Sequence, residues 1–560
     1  MAVFGHISTG GELRGAVEDR LESWKQIAAY LNRGERTVRR WETEEGLPVH
    51  RHMHRSLGSV YAYKSEIDAW RQTRPTRPAL QSSTEASRET EASRAVTSIA
   101  VLPFANLSVD PENAYFADGL TEEVIADLSK VQPLRVISRT SSMVFKDTKK
   151  DLKTIARDLG VRYILQGSVR RAGKQLRISA QLIDAIRDDH LWAESYDGTL
   201  DDVFTIQERL ARVIVAALEL RLTHDEQQRL AERPIRDVHA YECFLRARHE
   251  AWRWHPEAIA HAIQLLHNGL AIVGDNARLY AALGHAHLQY REAGIDFGEH
   301  AFDEAERCAD KVFALEPRSA SGFRLRGWIQ YSRGQIQDAV RSLKAALELD
   351  PNDADTLLLL CNCYLISGKV PAARPLISRL QTLDPLTPLT RCLPGFADAS
   401  EGDLESAVEP YRQMFEMDPG NPMARLFYVW VLALNGRHDA VVRVLDGFSL
   451  AERDMVPSRV ARFLAGAVVM RQKEALEFVT PEIEAVAATN DVFARFLAEG
   501  YAMAGEAESA SHWLTVAVER GYINYPFLAR YDPCFEPLRS DPRFQRLLEV
   551  VRERWRAFEA

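Results

Sequence analysis

Cysteine is scarce in this 560-residue chain: six residues, at positions 243, 308, 361, 363, 392 and 534, with no Cys-x-x-Cys pair. That excludes a disulfide framework and the common zinc spacings, and it fits reduced thiols inside a cell. Long apolar runs are missing too. The longest, Leu357 to Tyr364, is broken by Asn362 and falls far short of the ~20 residues that cross a membrane. Met1 to Arg20 holds no basic start followed by an apolar stretch, so no export signal is expected, and the protein is placed in the cytoplasm with no membrane contact. Charge of one sign is also lacking. A net charge of −9 rules out a chain that coats nucleic acid along its whole length, which leaves local charge as the informative quantity. No phosphate-binding glycine loop occurs, and no kinase, cyclase or hydrolase motif is visible. The chain is therefore expected not to be an enzyme, with no cofactor, no metal and no catalytic residue. What it does have is length, which is too great for one core and implies three or four domains.

The second half repeats. Pro317, Pro351, Pro385 and Pro419 are 34 residues apart, each closing a phrase such as Leu349-Asp350-Pro351. A 34-residue period ending in proline is the tetratricopeptide signature of paired helices. Gly327, Cys361 and Gly395 fall at one register position, where two helices cross closely. Gly334, Gly368 and Gly402 fall at the turn inside each pair; Ala339, Ala373 and Ala407, then Leu343, Ile377 and Tyr411, follow on the second helix. Looser units flank these. Leu283-Gly284 and Ala305 mark one with a turn about nine residues longer, and Ala262, Leu266, Gly269 and Leu270 read as a lone second helix before it. Gly436 with Leu445, and Ala498, Gly505, Ala510, Leu514 and Ala517, mark later units. The array is expected over residues 236–548. Such units stack into a superhelix with a concave face that holds a protein or peptide, or another part of the same chain.

The N-terminus reads differently. Ser23-Trp24-Lys25-Gln26 is a capping box, followed by Ile27, Ala28 and Leu31 at helical spacing. Asn32-Arg33-Gly34 makes a turn, and a second helix over Glu35 to Glu44 points Val38 and Trp41 inward and Arg36, Thr37, Arg39 and Arg40 outward. Leu47 to Arg55 and Val60 to Tyr63 alternate like two strands of a wing, and Ser65 is expected to cap a third helix over Glu66 to Gln72 that buries Ile67 and Trp70. From Lys25 to Lys64 eight Lys and Arg face four Glu, a local +4. Lys25, Arg36, Thr37, Arg39, Arg40, His50, Arg51, His52 and Arg55 are the candidate DNA contacts, because basic side chains on a helix and wing reach phosphates and a helix tip reaches base edges. Glu42, Glu44 and Glu45 are expected to turn away from DNA. His50, His52 and His54 share a strand face, but no Cys or acid stands beside them at ligand spacing, so phosphate contact is preferred over metal.

The phrases Ser-Trp-Lys-Gln-Ile-Ala-Ala-Tyr-Leu, Arg-Thr-Val-Arg-Arg-Trp-Glu and Gly-Leu-Pro-Val-His-Arg resemble the winged helices of the MerR and excisionase type over residues 20–72. The resemblance implies sequence-specific binding of double-stranded DNA, with the second helix in the major groove. A three-helix fold used for protein contacts is the alternative use of such a unit. A single small unit makes few contacts, so a homodimer on half-sites about one DNA turn (~34 Å) apart is expected.

Residues 73–96 carry Pro, Ser, Thr, Gln and Glu without apolar periodicity and are expected to be a flexible tether. From Ser98 the pattern alternates. Strands are expected at Ile99 to Phe104, Arg135 to Ser138, Tyr163 to Arg171, Gln175 to Asp184 and His190 to Tyr196, with helices at Ala117 to Lys130, Asp151 to Leu159 and Leu200 to Leu222. Ile-Ala-Val-Leu-Pro-Phe, Phe-Ala-Asp-Gly-Leu-Thr-Glu-Glu, Tyr-Ile-Leu-Gln-Gly-Ser-Val-Arg-Arg and Arg-Ile-Ser-Ala-Gln-Leu-Ile-Asp resemble the amino-terminal domain of TolB, also called FlgO-like, over residues 97–222. Asp118, Glu122, Glu123 and Asp127 could hold a cation but read better as a solvated acidic face. His190, Glu194 and Asp184 make no convincing acid–base set.

The expected molecule has three parts: a small α winged helix-turn-helix, an α/β middle domain and an all-α repeat superhelix. It reads as a transcription regulator whose array receives a partner or relays a signal. A DNA-free adaptor, and an enzyme with an unrecognised site in the middle domain, are the alternatives.

Overall fold

The computed structural model describes residues 19–31, 38–39, 42, 47–51, 60–73, 97–110, 113–253, 255–292, 299–447, 452–470 and 473–560. They belong to two compact units, Met1–Ala95 and Val96–Ala560.

In the first unit, strand β1 (Arg20–Leu21) and strand β2 (His50–Arg51) flank strand β3 (Val60–Tyr63) in an antiparallel sheet. Helix Trp24–Leu31 starts where the capping box places it: the Gln26 N–H donates to Ser23 Oγ at 3.2 Å, and Gln26 Oε1 accepts from the Glu22 N–H at 2.6 Å. Its apolar face joins Leu21, Val38, Leu47, Ala62 and Ile67 in one small core. Helix Lys64–Thr73 begins one residue before the expected cap. Ser65 does not cap it. Its N–H and hydroxyl both donate to the Asp19 carboxylate, so an acid from the far end of the unit serves the helix N-terminus. Of the expected recognition helix only Val38, Arg39 and Glu42 are described, and Val38 is fully buried. The expected tether lies outside the described residues from 74 to 96.

The second unit opens with a six-stranded mixed sheet of β4 (Thr97–Val101), β5 (Ala105–Asn106), β6 (Leu134–Val136), β7 (Tyr163–Ala172), β8 (Gln175–Asp184) and β9 (Asp189–Thr199), ordered β6-β4-β7-β8-β9 with β5 also on β7. Strand β4 (Thr97–Val101) lies parallel to β6 (Leu134–Val136) and β7 (Tyr163–Ala172). Strands β7, β8 (Gln175–Asp184) and β9 (Asp189–Thr199) form an antiparallel meander. Helix Ala114–Ser129 makes the crossover from β4 to β6, and helix Leu152–Leu159 the crossover to β7. Asp151 caps the latter, accepting from the Thr154 N–H. β5 (Ala105–Asn106) and the short helix Arg139–Met143 were not expected from the pattern. The closing helix is Val203–Ala217 and stops before the expected Leu222, where Glu219 turns to φ +56°.

Helix pairs follow. In the regular region they are Ala320–Ser332 with Ile336–Leu349, Ala354–Ile366 with Val370–Leu383, and Pro388–Ser400 with Leu404–Met417. Pro317, Pro351, Pro385 and Pro419 each sit just beyond a second helix, ending it as the spacing predicts. The expected lone helix is not alone: Pro256–Val273 packs on Val238–Ala251, whose mixed Tyr-Glu-Cys-Phe-Leu-Arg pattern hid its repeat character.

One apolar core runs from the sheet into the repeats. Ile99, Phe116, Leu120 and Val124 join Tyr241, Phe244, Leu283, Phe302 and Leu325. A Cβ on Gly119 would sit 2.8 Å from Leu245 Cδ2, so glycine allows helices Ala114–Ser129 and Val238–Ala251 to approach closely.

Candidate functional site

Four of the candidate DNA contacts are described. Lys25, Arg39 and Arg51 are exposed and His50 is half-buried. The Arg39 guanidinium lies 5.1 Å from the Trp24 ring centroid. Arg51 Nη2 meets Glu42 Oε1 at 2.7 Å, so Glu42 braces the wing strand. His50 Nε2 lies 2.6 Å from Glu66 Oε2, and its ring stacks on Tyr61 with centroids 5.1 Å apart. The Arg20 guanidinium also lies over the Tyr61 ring, 4.1 Å from its centroid. Arg20 was not among the expected contacts; its only sequence signal is a basic residue just before the first helix. Arg36, Thr37, Arg40, His52 and Arg55 lie outside the described residues.

The acidic helix Ala114–Ser129 corrects an expectation. Asp118, Glu122 and Glu123 are not a solvated face; they are 6%, 8% and 7% exposed. Cations from elsewhere in the chain fill the space. Asp118 accepts from Lys146 Nζ at 2.8 Å and pairs with His249 Nδ1 at 3.2 Å. Glu122 pairs with Arg248 and, at 3.4 Å, with Arg139; Glu123 pairs with Arg278. Asp127, at the helix end, pairs with Lys130 at 2.7 Å. Burial alone would raise the Asp118 carboxyl, but hydrogen bonds from His249 and Lys146 outweigh it and hold it below the usual range. Glu123 is raised, because burial exceeds the pull of Arg278. Nearby, Tyr115 donates to Glu242 at 2.7 Å and accepts from Arg171 at 2.8 Å. Arg248, His249, Glu242 and Arg278 all stand on the first repeat-region helices, so this network joins the middle domain to the array.

A second junction lies further along. The Ser138 N–H donates to the Leu383 carbonyl at 2.8 Å, and Ser141 Oγ donates to Asp384 at 2.7 Å while accepting from the Leu386 N–H. Arg135 reaches the Thr382 carbonyl at 2.6 Å. The array thus holds another part of its own chain at two places.

Glu123, Asp127, Gln207, Tyr241 and Arg278 line a cleft of about 30 Å³, which suits a water rather than an organic ligand. His190, Glu194 and Asp184 do not converge: Asp184 binds Arg162 at 2.7 Å, and Glu194 binds Arg209 and Tyr196. No group of three metal-ligating side chains occurs among the described residues. No described helix is long and apolar enough to cross a membrane.

Comparison with known proteins finds family models that match parts of the chain. Residues 95–213 match the family model of the HilA/YgeH-like transcriptional regulator, second domain, and residues 298–354 and 330–389 match tetratricopeptide repeats. The likenesses to MerR-type winged helices and to the TolB amino-terminal domain rest on the quoted phrases alone.

Particular relatives follow. "Transcriptional regulator HilA" of Salmonella typhimurium is 20% identical over 407 residues, which span 71% of this chain and 66% of that protein. "Putative adenylate cyclase 3" of Rhizobium meliloti is 46% identical over 186 residues, 33% of this chain and 32% of that protein. This chain therefore spans about a third of the cyclase-named relative. A thermophilic TPR protein of Thermus thermophilus superposes with a TM-score of 0.29 at 19% identity, covering 34% of this chain and 98% of that one, too loosely to support any reading. The expectation of a non-enzymatic chain is overturned here: the cyclase-named relative points to an enzyme, over a third of the chain.

Proposed function

We propose that this chain is a cytoplasmic transcription regulator with a DNA-binding head (residues 20–72), a tether (73–96), an α/β domain (97–222) and a repeat array (236–548) that meets protein partners. The observation that carries it is the regulator-domain match over residues 95–213, flanked by a basic N-terminal unit and by repeats. Exposed Lys25 and Arg39, and Arg51 braced by Glu42, meet the phosphate backbone, together with Arg36, Thr37, Arg40, His52 and Arg55. His50, already paired with Glu66, serves to fix the wing. Binding as a dimer doubles the contacts of a small head.

The test is selection of genomic fragments on the purified chain, followed by titration against salt. An enriched sequence is expected, with log K falling against log salt at a slope near ~−5 for six phosphate contacts. The triple variant Lys25→Ala, Arg39→Ala, Arg51→Ala, which removes six contacts from a dimer, is expected to flatten that slope by about 5. Affinity for DNA that ignores both salt and these substitutions would sink the reading.

A second reading follows from the cyclase-named relative: the chain turns over a nucleotide. Incubation of the purified chain with ATP and a divalent cation, with cyclic product measured, decides it.

A further inference from the structure

The array does not end in an open edge. After helix Ala507–Glu519 the chain returns across its own repeats. The Ile523 N–H donates to the Ile366 carbonyl at 2.9 Å, and Asn524 Nδ2 donates to the Leu365 carbonyl and to Ser400 Oγ, each at 3.1 Å. Three consecutive repeat turns receive this segment in order: Gly334 against Arg520, Gly368 against Asn524 and Gly402 against Tyr531.

Behind the segment lies a dry ionic cluster. Glu499 and Asp532 are both 0% exposed. Arg495 Nη1 donates to Glu499 Oε1 at 2.7 Å, and Trp430 Nε1 donates to Glu499 Oε2 at 2.8 Å. The Asp532 Oδ1 accepts from the Cys534 N–H at 2.9 Å, while Oδ2 has no donor among the described residues. The groups facing the pair are Arg495 and Asp491 from the same helix as Glu499, Tyr411 from helix Leu404–Met417, and Tyr522 and Cys534 from the returning segment. The Arg495 guanidinium is itself held among aromatic rings, 4.6 Å from Trp430 and 5.4 Å from Tyr522. One guanidinium therefore stands against the buried Glu499 and Asp532 carboxylates, with Asp491 a third acid on the same group. An uncompensated buried charge costs several kcal/mol, so the site takes up a proton instead.

We propose that Glu499 and Asp532 share one proton, and that this proton locks the returning segment, residues 520–538, across the repeat turns. One carboxyl O–H then donates to the other carboxylate, so that Arg495 balances the single negative charge left on the pair. Burial pushes Glu499 up to about 8 and raises Asp532, in both cases against the pull of Arg495; the pair titrates as a unit. When the segment lifts, both acids meet water and return to the ordinary carboxylate range, so opening releases the proton. A raised carboxyl stabilises the closed state fully below its open-state value and loses that contribution as pH rises through the closed-state value. Opening therefore becomes easier between about pH 5 and pH 8 and uncovers the turns at Gly334, Gly368 and Gly402.

Hydrogen–deuterium exchange of the full chain at pH 6 and pH 8, corrected for intrinsic rates, reads the opening of peptides within 520–538. The opening equilibrium is expected to rise severalfold over that interval. Glu499→Gln and Asp532→Asn each remove one acid, leave the remaining carboxylate paired with Arg495, and are expected to cut the pH dependence to the smaller part that Asp491, raised to about 6, contributes. A wild-type segment whose opening is the same at both pH values overturns the proposal, whether or not the variants fold. So does a folded variant that keeps the wild-type dependence.

Discussion

Arg278 and Glu123 show how much one residue can depend on a distant one. The carboxylate is buried in the middle domain, and its cation arrives from a helix 155 positions later in the chain. Removing one member of such a pair leaves the other uncompensated, a loss of about 3 kcal/mol. Arg278→Ala is therefore expected to lower the denaturation midpoint strongly, and Glu123→Gln in the same chain to recover part of it, as read by chemical denaturation of the single and double variants. His287 gives a pH signature. It is 8% exposed with Nε2 unpartnered, and burial pushes it down to about 4 from 6.5. A group depressed on folding keeps its full contribution above its unfolded value and loses it as pH falls toward the folded one. Stability is thus expected to fall below pH 6.5, by about 2 kcal/mol at pH 5 from this residue. His287→Asn should lose correspondingly less between pH 7 and pH 5 in the same denaturation measurement. Neither effect was visible in the sequence. Asp118, Glu122 and Glu123 at helical spacing look like a wet stripe until the partners at 146, 248, 249 and 278 are brought in.

At the scale of the element, the turn glycines separate local need from tertiary contact. Gly368 and Gly436 adopt nearly the same left-handed backbone, φ +63° and +62°. A Cβ on Gly436 meets open space, whereas one on Gly368 would lie 2.6 Å from Asn524 Oδ1. Gly436→Ala is expected to cost about 1 kcal/mol for backbone strain alone. Gly368→Ala is expected to cost about 2 kcal/mol more, because the returning segment must move. Thermal unfolding of the two variants side by side measures the difference. Here the turns were legible and the extra contact was not: a glycine every 34 residues announces a turn, but nothing local to Gly368 announces Asn524. The helix at Lys64–Thr73 teaches the same lesson. Ser65 looks like a cap, yet Asp19 performs that role from 46 positions away.

For the molecule as a whole, the continuous core decides what can fold alone. Phe116, Leu120 and Val124 sit between the sheet and the helices that carry Tyr241, Phe244 and Leu245. Cutting the chain after residue 222 exposes that face together with Glu122 and Glu123 and removes their arginine partners. A fragment spanning 97–222 is expected to lack a cooperative thermal transition, while 97–560, which keeps both halves of the repeat core together, is expected to keep one; differential scanning calorimetry distinguishes them. If the short fragment melts cooperatively with the enthalpy of a domain its size, the core is divisible after all.

The order of the parts was written in the chain itself. Prolines and glycines at a 34-residue period, alternating apolar strands from Ser98 and a capping box at Ser23 are local signals, because backbone preference and side-chain periodicity act between residues a few positions apart. Only tertiary structure decided that the acidic helix is dry, that the array grips its own middle domain at Asp384, and that its far end returns over three turns. Those outcomes depend on charges and apolar faces meeting across a hundred residues or more, and no local pattern states which distant partner will arrive.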